Sequence, residues 1–196
     1  MRGISGIILL AAATVAGATV AGAQEAKFVK DGAHSEINFV AESRLLDAHG
    51  YWEKWDADIA FNPKEWDKST VKLVIDAASV NTRVAARDKH LRSKDFFNVD
   101  SFPQITFVSK LVNKVSDTRL NLTGDLTIRG VTKPVTIPAT LVFWDEPSQT
   151  GRVKGQFTIV RSEYGISFNS RMNPIADDVA VAFNITFRQA PPVGSK

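Results

Sequence analysis

Apolar and polar side chains alternate with period two along most of the chain, as expected of strands with one buried and one wet face. Ile37, Phe39 and Ala41 open the series. Tyr51, Trp55, Ala57, Ile59 and Phe61 share one parity, opposite Trp52, Lys54, Asp56 and Asp58. Val71, Leu73, Ile75 and Ala77 come next, then Ile105, Phe107 and Leu111. Leu120, Leu122, Leu126 and Ile128 make the fifth run, and Val135, Ile137, Ala139, Leu141 and Phe143 the sixth. Val153, Phe157, Ile159 and then Arg161 continue one inward parity, and Val179, Val181, Phe183, Ile185 and Phe187 close the chain. The pattern predicts an all-β fold in which about eight antiparallel strands curl into an extended barrel.

Turn chemistry separates the runs at Asn62-Pro63, Ser116-Asp117, Arg129-Gly130 and Asp145 to Ser148. Pro134 and Pro138 fall inside the sixth run. Proline is confined to edges, bulges and strand starts, so this strand is expected to be irregular or to lie where the barrel is poorly closed. One segment breaks the pattern: from Asn81 to Phe97, helix formers predict one short inserted helix with Asn81 or Thr82 as N-cap. Arg83, Arg87 and Lys94 would then share a basic stripe, a solvated face that also suits transient contact with an anionic membrane surface.

The ends change the picture of where the chain works. Met1-Arg2, an apolar stretch from Ile4 to Ala18 and the small-x-small site Ala21-Gly22-Ala23 read as a secretory signal peptide over residues 1–23. An uncleaved anchor competes with this reading; the Ala, Gly and Thr content and the Ala-x-Ala site weigh against it. A periplasmic or secreted protein is therefore expected, cleaved near Ala23, with one barrel domain over 24–190 and a loose tail over 191–196. There is no cysteine in the 196 residues, which excludes disulfides, thiol catalysis and thiolate metal sites. The net charge of +3 is made of interspersed charges of both signs, which argues against a nucleic-acid partner.

Five segments carry a resemblance. Asp31-Gly32-Ala33-His34-Ser35-Glu36-Ile37-Asn38-Phe39 resembles the D-x-x-H-S-x-I/V-x-F opening of the YceI family of exported lipid-binding proteins. Arg87 to Phe97, RDKHLRSKDFF, is similar to its R-D-x-H-L-R-S-x-D-F-F signature, and Phe102 to Phe107 to the F-P-x-I-x-F after it. Gly124 to Val135 resembles its G-x-L-T-I-R-G-V-T-K-P-V, and Arg161 to Ile166 its R-x-x-F/Y-G-I. The five stand in the family's order. The departure is Gly50 to Trp55, where two Trp replace the Phe of G-x-F-x-x-F and narrow any space they line. The resemblance implies a lipocalin-like barrel holding a long-chain isoprenoid lipid, polyprenyl or quinone in type, as ligand with no other cofactor.

The candidate cavity lining is Phe39, Trp55, Phe61, Phe107, Leu126, Phe143, Phe157, Phe183 and Phe187, many bulky rings for one barrel to pack by itself. Gly124 and Gly155 share the inward parity, marking a bulge or room for a ligand. Arg161 is the candidate for reading a headgroup at the mouth, because an unpaired guanidinium in a dry barrel is prohibitively costly; a structural ion pair is the competing role. Arg87 and His90 are weighed the same way, with Asp88 and Arg92 expected to knit the helix to the barrel. No metal site is expected, since His34, His49 and His90 match no ligand spacing, and no catalytic residue is assigned, for want of a nucleophile elbow, P-loop or dinucleotide fingerprint. Two rival functions stay open: a structural or interaction barrel with a packed interior, and an enzyme acting on an isoprenoid lipid. The oligomeric state is open as well, a homodimer included.

Overall fold

A computed structural model describes residues 27–190; the expected signal peptide and C-terminal tail lie outside the described residues. Eleven strand segments succeed one another: β1 (Lys27–Lys30), β2 (Glu36–Ser43), β3 (Ala48–Trp52), β4 (Trp55–Ala60), β5 (Thr70–Asp76), β6 (Val80–Asn81), β7 (Gln104–Lys114), β8 (Arg119–Ile128), β9 (Val131–Asp145), β10 (Thr150–Val160) and β11 (Ile175–Gln189). One helix, α1 (Ala85–Arg92), lies between β6 and β7.

The eleven segments make eight staves. β1 and β2 are two halves of the first stave: both pair antiparallel with β11, at Phe28↔Gln189 and at Phe183↔Ile37. β3 and β4 form the second stave against them, and β5 and β6 the third. From there each strand pairs with the next in sequence through to β11, and β11 returns to the first stave. The expected barrel of about eight antiparallel strands is therefore the fold, closed last strand on first, with one inserted helix.

The three broken staves break at one level, at Gly32–His34, Glu53–Lys54 and Ala77–Ser79. The breaks are stitched together: Glu53 N donates to Ser79 O at 3.1 Å, Lys54 N to Ser79 Oγ at 3.0 Å, and Asp76 N to Lys54 O at 2.9 Å. The two residues between β3 and β4 shift the parity, so Trp52 and Trp55 are both buried while Tyr51 is not. This corrects the unbroken alternation read from Tyr51 to Phe61. The same physics displaces two more residues. A register shift between Ser109 and Leu111 turns Leu111 outward and buries Val112. An irregularity where Arg152 meets Phe143 and Val153 meets Leu141 leaves Phe143 43% exposed on the outer face and puts Trp144 against the core.

Sequence turn signals sit where expected. Arg129 and Gly130 both have positive φ, 50° and 74°, in the two-residue turn between β8 and β9, as a type I′ hairpin requires. Asn62 Oδ1 accepts from Lys64 N and Glu65 N, both at 3.0 Å, bending the chain after β4. β9 is continuous through Pro134 and Pro138, but it pairs with β10 only from Ala139 onward. Gln156 to Val160 of β10 thus pair with β11 but not with residues 131–138 of β9, the poorly closed seam that the prolines foretold.

Every turn lies at one of two ends. Residues 61–69, 115–118 and 146–149 gather with both described chain ends at one end. The 44–47 loop, α1 with the chain to Pro103, the Arg129-Gly130 turn and the 161–174 loop gather at the other. α1 stands where β6 has no strand beside it, because β7 begins only opposite Asp76. The helix starts at Ala85 with Val84 as its N-cap, not at Asn81 or Thr82. Thr82 is used differently: its N and Oγ1 both donate to Asp88 Oδ1, at 2.8 and 2.5 Å, inside the wall. The basic stripe dissolves as a consequence, since Arg83 precedes the helix, Lys94 lies beyond its end and Arg87 bonds Thr82.

Candidate functional site

The first end is plugged. Phe28, Phe61, Trp66, Trp144 and Phe187 form one cluster, mostly edge to face, with Phe61–Trp144 at 5.0 Å and Phe28–Phe187 at 5.6 Å between centroids and Trp144 stacked on Phe187 at 6.3 Å. Edge-to-face and offset-stacked rings satisfy each other's quadrupoles. Phe61 and Phe187, expected to line a cavity, are instead part of this stopper, and Trp55 is buried beneath Lys30, whose Nζ lies 4.4 Å from its ring.

Above the plug the barrel is hollow. A cavity of about 610 Å³ runs between the staves and is lined along β11 by Ile175, Val179, Val181, Phe183 and Ile185. Ten residues of strand at ~3.3 Å each, tilted by the ~40° usual in barrels, span about 25 Å of axis. The mean cross-section is then about 25 Å², little more than one packed hydrocarbon chain. Phe39, Phe107, Leu126, Phe157 and Phe183 line it as expected, joined by Leu73, Ile105, Ile137 and Ile159. Phe143, on the outer face, does not. Trp52 also lines it; its indole N–H is buried without a hydrogen-bond partner, among the rings of Phe39 and Phe97.

The expected glycines have another use. A Cβ on Gly155 would lie 2.4 Å from the ring of Phe183, its direct cross-strand partner, and 2.6 Å from Pro138 O. Gly50 receives the ring of Phe39, also its direct partner, in the same way. A Cβ on Gly124 would lie 2.3 Å from Val108 O, at the bulge of β7. These glycines make room for the barrel's own rings and backbone, and by letting two phenylalanines lie flat they keep the lumen open.

The second end is the mouth, and it is polar only in part. Ser43, Arg87, His90, Ser170 and Asn173 line the cavity there beside Leu46, Phe97 and Phe168. The His90 ring is held between Phe96 and Phe168, at 4.9 and 4.7 Å, with Nε2 2.9 Å from Asp95 Oδ2. Arg87 donates to Thr82 Oγ1 and Thr82 O, and Arg92 to Ala78 O and Val80 O, tying the helix segment to the third stave.

Arg161 lines the cavity yet is only 6% exposed. Its Nε donates to Ala176 O at 2.9 Å, Nη1 to Ile166 O and Phe168 O at 2.8 Å each, and Nη2 to Ile175 O at 3.1 Å. Two carbonyls from the 161–174 loop and two from the start of β11 thus converge on one planar fork. Asp177 stands 3.9 Å from Nε. Its carboxyl accepts from Ser162 N at 2.9 Å and Ser162 Oγ at 2.5 Å, which holds it below the ordinary carboxylate range. The fork shapes the mouth loop, tying Ile166 and Phe168 to the start of β11. Phe168, Ile166, Phe97 and Trp52 were not foreseen in the lining: the first two lie in a loop without periodicity, and Trp52 was hidden by the parity shift. Among the described residues no group of three or more His, Asp or Glu is placed to hold a metal ion.

Comparison with known proteins places this geometry. The sequence profile of the YceI-like domain matches residues 28–187. Protein YceI of Salmonella newport (strain SL254) is 42% identical over 121 residues, which span 61% of this chain and 63% of that protein, under two thirds of its length. The crystal structure of Burkholderia cenocepacia BcnA superposes with a TM-score of 0.74 at 26% identity, over 80% of this chain and 98% of that one. A polyisoprenoid binding domain from Saccharophagus degradans, implicated in plant cell wall breakdown, shares the fold at a TM-score of 0.68 and 16% identity, over 85% of this chain and all of that one.

Proposed function

The chain belongs to the YceI family, and on that premise we propose that it is an exported binding protein for an isoprenoid lipid. The tail lies in the barrel and the headgroup at the mouth. The observation that carries this reading is the cavity itself: apolar, one chain wide, plugged by rings at one end and open among polar groups at the other. A barrel evolved only to pack would fill this space with its own side chains. The leader-like residues 1–23 support a periplasmic or secreted location.

Magnitudes bound the ligand. At the ~30 Å³ that one water occupies in the liquid, taken as the size of one carbon unit, the cavity of about 610 Å³ holds on the order of twenty carbons, about four isoprene units. Burying twenty at roughly 0.8 kcal/mol each gives nominally about 16 kcal/mol, below the ~18–21 kcal/mol where affinity saturates, and ordering costs offset part of it. Tail burial therefore supplies affinity with little discrimination. Selection falls to Ser43, Ser170, Asn173, His90 and Arg87 at the mouth. The protein's work is to keep the tail out of water and present the head, with no reaction step; the Arg161 guanidinium is engaged by four carbonyls and the Arg87 guanidinium by Thr82.

Total lipid extracted from the purified protein and identified by mass spectrometry tests the proposal. Bound isoprenoid, or uptake of added geranylgeraniol or ubiquinone from detergent micelles by the stripped protein, is expected. Finding neither overturns it in favour of an empty structural barrel.

A further inference from the structure

The mouth carries side chains that neither the core nor the cavity accounts for. Leu45 and Leu46 are each 72% exposed and Met172 81%, the most exposed large apolar residues among those described. They stand on two loops bonded to each other, Leu45 N donating to Asn173 Oδ1 at 2.9 Å and Arg44 N to Pro174 O at 3.1 Å. Leu46 is continuous with the interior, since it also lines the cavity. Val84, exposed too, leads into α1, the third element at the mouth. Single exposed apolar residues are ordinary; three on two joined loops, at the opening of an apolar cavity, are not.

Cations alternate with them. Arg44, Arg83, Lys89 and Arg171 lie on the same three segments and are exposed. Among the described residues none of these four side chains has a hydrogen bond or ion pair. The neighbouring acids are differently disposed. Asp47 Oδ1 accepts Ser43 N, Asp88 is buried against Thr82, Asp95 meets His90, and Glu42 stands on β2, before the loop. The rim thus offers apolar tips set among four cations that have no ion pair among the described residues, with Glu42 and Asp47 as the exposed acids beside them.

We propose that this rim docks on the surface of an anionic phospholipid bilayer. Leu45, Leu46 and Met172 enter the boundary between headgroups and acyl chains, and Arg44, Arg83, Lys89 and Arg171 meet lipid phosphates. The inference rests on the lipid-binding reading and extends it: a tail passing from bilayer to cavity through a docked mouth never crosses water. The charges decide the occupant. A two-fold contact between copies of this chain would bring the same four cations against their own images, which repel. Anionic lipid is complementary to both the apolar and the charged groups.

Co-sedimentation with vesicles tests this, using phosphatidylcholine alone and phosphatidylcholine mixed with phosphatidylglycerol. Binding to the mixed vesicles that weakens with salt is expected. Replacing Leu45, Leu46 and Met172 together by Ser is expected to lower partitioning at least about tenfold, and Arg44→Gln with Arg171→Gln to lower it roughly twentyfold in low salt. The tips are exposed, so the fold is kept, and micelle uptake of ubiquinone checks this without any docking. Variants that take up ubiquinone from micelles but fail on vesicles support the proposal. No vesicle binding by the unmodified protein overturns it, as does a serine variant that binds normally, or self-association through the rim in sedimentation velocity without vesicle binding. Absence of co-purified isoprenoid together with failure of the stripped, unmodified protein to take up geranylgeraniol or ubiquinone from micelles overturns the binding reading instead, and the vesicle result then judges docking by itself.

Discussion

Arg161 shows how a single side chain can be placed by pattern while most of its partners stay hidden. The ion pair weighed for it exists with Asp177, 3.9 Å from Nε, but its four hydrogen bonds go to backbone carbonyls. Its inward parity was plain, since it continues Phe157 and Ile159. Those carbonyls, from a loop with no periodicity and from the start of β11, leave no mark in the sequence. Arg161→Lys keeps the charge but not the planar fork, and an ammonium cannot reach four convergent carbonyls. A loss of about 2–4 kcal/mol in urea unfolding is expected, because buried carbonyls are left without donors; a change within error would mean the fork holds nothing together. Next to it, Asp177 sets a pH dependence. Ser162 lowers its folded pKa, so its contribution is complete above the ordinary carboxylate value near 4 and is lost as pH falls through the lowered one. Asp31, lowered chiefly by His34 and then by the Ala33 amide, acts in the same direction. Thermal midpoints of Asp177→Asn should therefore fall less steeply below pH ~4 than those of the parent; parallel curves would remove Asp177 from the acid limb.

Among the strands, cross-strand pairs of phenylalanine and glycine set the width of the lumen. Gly155 and Phe183 face each other on β10 and β11, and Pro138 O closes the space from β9. In Gly155→Ala the carbonyl cannot give way, so the ring must swing toward the cavity. A cost of about 1–3 kcal/mol is expected, with a preference for shorter chains when ubiquinones of graded length compete for uptake. Unchanged stability and an unchanged length profile would show that Phe183 does not gate the lumen. The seam between β9 and β10 was legible, because Pro134 and Pro138 cannot donate to a ladder. The bulges were not. Each inserts a residue without any mark in composition and exchanges the faces of the residues beyond it; hence alternation points Phe143 inward and Trp144 outward, the reverse of their places in the barrel, and likewise Leu111 and Val112.

For the molecule as a whole, period-two alternation was enough to count the staves and predict closure. It could not tell a hollow barrel from a packed one, because both need the same inward apolar positions. Only three dimensions separated the rings of Phe28, Phe61 and Phe187, which meet as a plug, from those of Phe39, Phe107 and Phe157, which stand back from the axis. Closure itself carries a last consequence. Stave by stave, every pairing but one joins neighbours along the chain; the exception joins β11 to the first stave, Phe28 to Gln189 and Ile37 to Phe183. That contact has the widest sequence separation of the barrel's strand pairings among the described residues, and such contacts are slow to form. The final strand is also a cavity wall, from Ile175 to Ile185. Without β11 the remaining strands would be an open, greasy sheet with two free edges and no enclosed interior. The hollow is thus a property of the closed ring and of no part of it.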